Sequence, residues 1–168
     1  MRLQLLQRIP CLTIYYDSFN NWLFLDWKGS VALPDVQAAC LAVARCYLLR
    51  PYARVLNNYA PGVGVGGREA AWLAREFLPY LSLAGALHVA WVLSPVRPDH
   101  SRGQTVADGL SGPTVACFPY LEEAMAWLGQ LGPAHAFEST APRSPARQTQ
   151  LEQTVHKLAQ KIGAPVLA

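Results

Sequence analysis

The chain has 168 residues, 14 Lys and Arg against 11 Asp and Glu, and a formal net charge of +3. With 52% hydrophobic and 15% charged residues it is globular and unusually apolar, which excludes a disordered chain. The basic residues are scattered, so no nucleic-acid footprint is visible, and no apolar run reaches the ~18 residues of a membrane span.

The first ten residues carry polar breaks every few positions and no small-residue cleavage site. They predict a cytoplasmic protein with no signal peptide, opening on a short lead. Cys11 to Tyr16 is β-branched and aromatic enough for a first strand. Asp17 to Asn21 is turn chemistry, and Trp22 to Trp27 is a second strand with Trp22, Phe24 and Asp26 on one face. The pair reads as an antiparallel hairpin.

Pro34 and Asp35 open a helix, favoured there by a fixed φ and a carboxylate near the N-terminus. Val36, Ala39, Cys40, Val43, Ala44 and Tyr47 recur at helical spacing, which predicts one apolar stripe laid on the sheet. The helix stops before Pro51. A strand follows at Arg54-Val55-Leu56 and ends in Asn57-Asn58.

The next segment, Tyr59 to Gly67, is glycine-rich. A second helix spans Arg68 to Leu83, with Pro79 predicting a kink or a break and Gly85 a C-cap. Leu87 to Leu93 is a continuous apolar run, the mark of a central strand covered on both faces. The long polar stretch Ser94 to Gly112 predicts a short helix over Ser101 to Leu110. Thr114 to Phe118 is the last strand and Tyr120 to Leu131 the last helix of the domain.

Fold class is therefore α/β: a mixed five-stranded sheet beginning with an antiparallel hairpin, with helices on its faces. Residues 1–132 form the domain and 133–146, rich in Ala, Pro and Ser, a linker. Residues 147–168 hold a C-terminal amphipathic helix, with Leu151, Val155, Leu158 and Ile162 on a narrow stripe, and a tail. That helix docks on its own domain, pairs with another subunit, or frays.

In an open α/β sheet, ligands and partners approach at the carboxyl ends of strands. The candidate ligand- or partner-binding residues are Asn57, Asn58, Gly64, Gly67, Arg68, Trp91, Ser94, Arg97 and Arg102. Gly62 to Gly67 satisfies GxGxxG literally. Two features oppose a dinucleotide site: the strand is the third in the chain, and no acidic residue lies ~20 positions on. Arg68, Arg97 and Arg102 suggest an anion-binding rim. Asp99, His100, Ser101 and Asp108 share one loop, but closeness in sequence does not build a triad. His88 reads as a structural histidine, and Trp27 and Trp72 as residues able to line a pocket. The four cysteines lack metal-ligand or redox spacing, so no metal, cofactor or disulfide is expected.

Several phrases carry a family resemblance: Asn20-Asn21-Trp22-Leu23 leading to Asp26-Trp27-Lys28-Gly29, Arg54 to Asn58, Trp72 through Phe77-Leu78-Pro79, Ala90 to Pro95, and Phe118 with the Glu122–Leu128 helix. In this order, over about Cys11 to Leu131, the chain resembles the SpoIIAA-like family of STAS/SEC14-type domains. The resemblance implies the fold above and a regulatory or hydrophobic-ligand-binding theme. Anti-sigma-factor antagonists of this fold carry a phosphorylated serine at the start of a helix after a strand. The equivalent loop here, Tyr59 to Gly67, has no Ser or Thr. The reading favours a non-catalytic module working through protein contacts, including self-association as a homodimer. The alternatives are a carrier of a small apolar or anionic ligand and a nucleotide-binding domain or enzyme using the glycine loop and arginines.

Overall fold

The computed structural model describes residues 1–59, 66–93, 112–131 and 143–163. Six strands form one sheet: β1 (Leu3–Ile9), β2 (Leu12–Asp17), β3 (Trp22–Trp27), β4 (Arg54–Tyr59), β5 (His88–Val92) and β6 (Thr114–Phe118). They lie side by side in chain order. β1, β2 and β3 pair antiparallel; β3, β4, β5 and β6 pair parallel.

The mixed α/β class agrees with the sequence reading, but the strand count does not: there are six strands, not five. The short N-terminal lead is β1. Its Leu-Gln-Leu-Leu-Gln-Arg-Ile sequence has neither clean alternation nor β-branched enrichment, since Ile9 is its one β-branched residue. Pairing with β2 makes it a strand. Its start is held by the Arg2 amide, which donates to Asp17 Oδ1 at 2.9 Å, and by Ser18 N–H, which donates to the Arg2 carbonyl at 3.0 Å.

The strand–helix connections cover one face of the sheet. α1 (Leu33–Leu49) links β3 to β4. Between β4 and β5 runs a continuous rod made of α2 (Gly67–Trp72), a π-helical turn (Leu73–Phe77) and α3 (Leu78–Ala84). Pro79 has no N–H for the Arg75 carbonyl, and its ring crowds that residue, so the turn before it widens. Leu78 N–H accordingly donates to the Leu73 carbonyl, five residues back. The buried pairs Trp72-Leu73 and Phe77-Leu78 are five positions apart, the spacing of that wide turn. The expected kink is thus a π turn preceding Pro79. Gly85 ends the rod with φ 101°, a left-handed C-cap.

α4 (Leu121–Gln130) covers the opposite face, where Ala124 and Leu128 pack on Trp22, Phe24, Leu56, Ala90 and Val92. α5 (Pro145–Lys161) lies outside α1 and α3, burying Leu151, Val155, Leu158 and Ala159. The stripe expected for α1 is therefore too narrow. Leu41, Ala42 and Cys46 are buried as well, because α1 is sandwiched between the sheet and α5.

Arginines fasten these layers. Arg54, at the start of β4, donates to the Leu128 carbonyl of α4 at 3.1 Å and to the Asn20 carbonyl of the β2–β3 turn at 2.7 Å. Arg50 lies over the rings of Tyr16 and Tyr52, 4.3 and 5.0 Å from their centroids. The expected short helix over 101–110 lies outside the described residues.

Candidate functional site

The carboxyl ends of β3, β4 and β5 lie together, paired in parallel with Trp27 beside Tyr59 and Asn58 beside Val92. β4 does not end at the asparagines, as the sequence reading had it. It runs on to Tyr59, so Asn57 and Asn58 are strand residues pointing to opposite faces.

On the face covered by α1 and the rod, Trp27 Nε1–H donates to Asn57 Oδ1 at 2.7 Å. Trp27 and Tyr59 stack at 5.0 Å between centroids, and Trp91 meets Tyr59 edge-on at 6.4 Å. Asn57 and Trp91 are both buried. Burial pushes the Tyr59 hydroxyl well above the usual tyrosine range, against a smaller opposing effect of the Asn57 carboxamide. On the other face, Asn58 Nδ2 donates to Asp26 Oδ1 at 3.0 Å, and Lys28 Nζ lies 3.6 Å from Asp26 Oδ2.

A cavity of about 20 Å³ lies between sheet and rod, lined by Leu25, Trp27, Val55, Asn57, Leu73 and Phe77 among others. That is room for one water molecule. The π turn forms its roof. Trp27 lines it, but Trp72 does not.

Gly67 and Arg68 are exposed at the start of α2. The Glu69 carboxylate folds back over Gly66, where a Cβ would collide with it. A carboxylate therefore already faces this helix N-terminus, and an incoming phosphate would compete with it. Gly64, Ser94, Arg97 and Arg102 lie outside the described residues, as do Asp99, His100, Ser101 and Asp108. The structure thus sets Asn57 beside Trp91, turns Asn58 to the opposite face, and leaves Gly67 and Arg68 exposed at the head of the rod.

His88 opens β5 and packs edge-on against Trp127 at 5.9 Å. Burial raises the thiols of Cys11 and Cys40, which keeps them protonated and poorly nucleophilic. Among the described residues, no group of three His, Cys, Asp or Glu side chains has a metal-binding arrangement, and no helix is long and apolar enough to cross a membrane.

Sequence reasoning passed over Trp27 and Asp26 as the partners of the asparagines. A signal was present. Asn57 shares strand parity with Val55 and Tyr59, so its side chain had to enter the same core. Comparison with family models, curated proteins and solved structures found no match to this chain.

Proposed function

We propose that the chain is a non-catalytic, STAS-like regulatory module of the SpoIIAA-like kind, acting through protein contacts around the strand ends and the head of the rod. The observation that carries this reading is the closed pairing at the strand ends. The carboxamides of Asn57 and Asn58 are committed to Trp27 and Asp26. Such side chains brace the strand ends from within. Among the described residues at this end of β3, β4 and β5, these polar groups are tied to one another and are not poised as the acid, base or nucleophile that catalysis would require.

The small apolar cavity favours a second reading, that of a carrier whose pocket opens when a ligand enters. Its volume of about 20 Å³ is far below the ~300 Å³ of ordinary ligand pockets, so the roof would have to move.

Native mass spectrometry separates the two. A ligand-free mass supports the protein-contact module, and a retained small molecule overturns it in favour of the carrier. Replacing Arg68 by p-benzoylphenylalanine and irradiating cells should yield a discrete protein adduct. Its absence would remove the head of the rod from the contact surface.

A further inference from the structure

β1 is the outer strand of the sheet, and among the described residues no strand pairs with its free side. Natural edge strands are protected by proline, lysine or inward charge. In Leu3–Ile9, β1 has no proline, lysine or inward charge; its guards are the exposed Arg8 and a bulge after Leu5. Instead it exposes Leu3, Leu5 and Leu6 at 40%, 56% and 41%. By register, Leu3 and Leu5 lie on the face of Asp17 and Tyr15.

The hydrogen bonds fix which backbone groups are available. Both the N–H and the C=O of Arg2 are engaged on the β2 side. By alternation Gln4 also faces β2, and the N–H and C=O of Leu3 and Leu5 point outward.

We propose that this edge pairs antiparallel with β1 of a second copy, about a two-fold axis passing through Gln4. The occupant is argued from self-complementarity and charge. An isologous contact requires a strand that matches itself when reversed. Centring on Gln4 sets Leu3 opposite Leu5 of the other copy, twice over, and lets the outward N–H and C=O groups of these leucines bond in two reciprocal pairs. It also joins four leucines on one face. Centring on Leu5 would set Arg2 opposite Arg8, like charges in direct cross-strand contact. The charge pattern therefore selects the Gln4 register and makes the sheet continuous across twelve strands. This edge is separate from the strand-end surface, so the inference does not depend on the module reading.

In this register the two Gln4 residues form a non-hydrogen-bonded pair with Cα atoms about 4.5 Å apart, within disulfide range. The test combines mass with position-specific cross-linking. At about 100 µM, enough to capture a weak pair of low-end interface size, the full chain should run at twice its 18.4 kDa mass in light scattering. Oxidised Gln4→Cys should give a covalent dimer, while Gln7→Cys and the unsubstituted chain should not. Leu5→Lys, at an exposed position, should return the mass to one chain with an unchanged circular dichroism spectrum. A monomer at that concentration overturns the proposal. So does a dimer that survives Leu5→Lys, or a cross-link that forms at Gln7 and not at Gln4.

Discussion

The indole of Trp27 and the carboxamide of Asn57, 30 residues apart in the chain, meet at 2.7 Å across adjacent parallel strands and are both buried. Removing one partner leaves the other desolvated without a bond, which costs about 1–3 kcal/mol. Asn57→Leu should therefore lower stability by about that amount, and Trp27→Phe should do likewise through the orphaned Oδ1. Trp22 is the control: its buried Nε1 has no hydrogen-bond partner among the described residues, so Trp22→Phe forfeits ring area but no bond seen there. Urea unfolding of the three variants should rank Trp22→Phe mildest.

Arg143 ties the C-terminal helix to the ends of two others. It donates to the Ala84 carbonyl of α3 at 3.0 Å and to the Tyr47 carbonyl of α1. Arg147 and Gln148 add bonds to Leu83 and Leu48, so cationic and amide donors meet the negative ends of both helices. Arg143→Ala should cost about 1.5–3 kcal/mol. Leu151→Ala, fully buried beneath α5, should cost about 2–5 kcal/mol. Hydrogen exchange should accelerate along α5 in both variants. Lys161→Ala breaks an exposed pair with Glu76 and should cost under about 1 kcal/mol.

The carboxylate of Asp17 makes stability depend on acid. Burial raises its pKa, but the amides of Arg2, Phe19 and Asn20 and the Asn20 side chain together outweigh burial and hold it below the ordinary value. A carboxyl depressed in the folded state stabilises above its unfolded pKa, and that contribution fades as pH falls through the folded value. The stability gap between the unsubstituted chain and Asp17→Asn should be full near neutrality. It should shrink progressively below about pH 4. A gap that stays constant from neutral to strongly acidic pH would show that the charge is irrelevant.

Two glycines should behave oppositely. Gly85 caps α3 at φ 101°, so Gly85→Ala should cost about 1 kcal/mol or more in strain. Gly67 has ordinary backbone geometry and open space where a Cβ would stand. Gly67→Ala should leave the melting temperature nearly unchanged. Any loss of partner binding in that variant would then mark a close approach at the head of the rod.

Much of the architecture was legible in the residues. The β2–β3 hairpin, α1, β4, the rod, β5, β6, α4 and α5 all carry periodicity, capping or turn chemistry strong enough to place them, with ends shifted by a few residues. β1 was not legible, because an exposed edge strand has no burial pattern to impose alternation. The π turn was visible only as a disturbance at Pro79. Sequence spacing could not say whether the backbone would kink there or widen one turn earlier.

The candidate site divides along the same line. The sequence by itself determined the α/β order and the arrival of Asn57 and Asn58 near a strand end, because local pattern dictates local structure. Only the tertiary structure decided that one amide faces Trp27 and the other Asp26, since strand pairing sets those neighbours. It likewise decided that α5 lies on α1. Its narrow stripe can bury itself on any matching surface, and the carbonyl ends that Arg143 finds exist only once α1 and α3 are folded side by side.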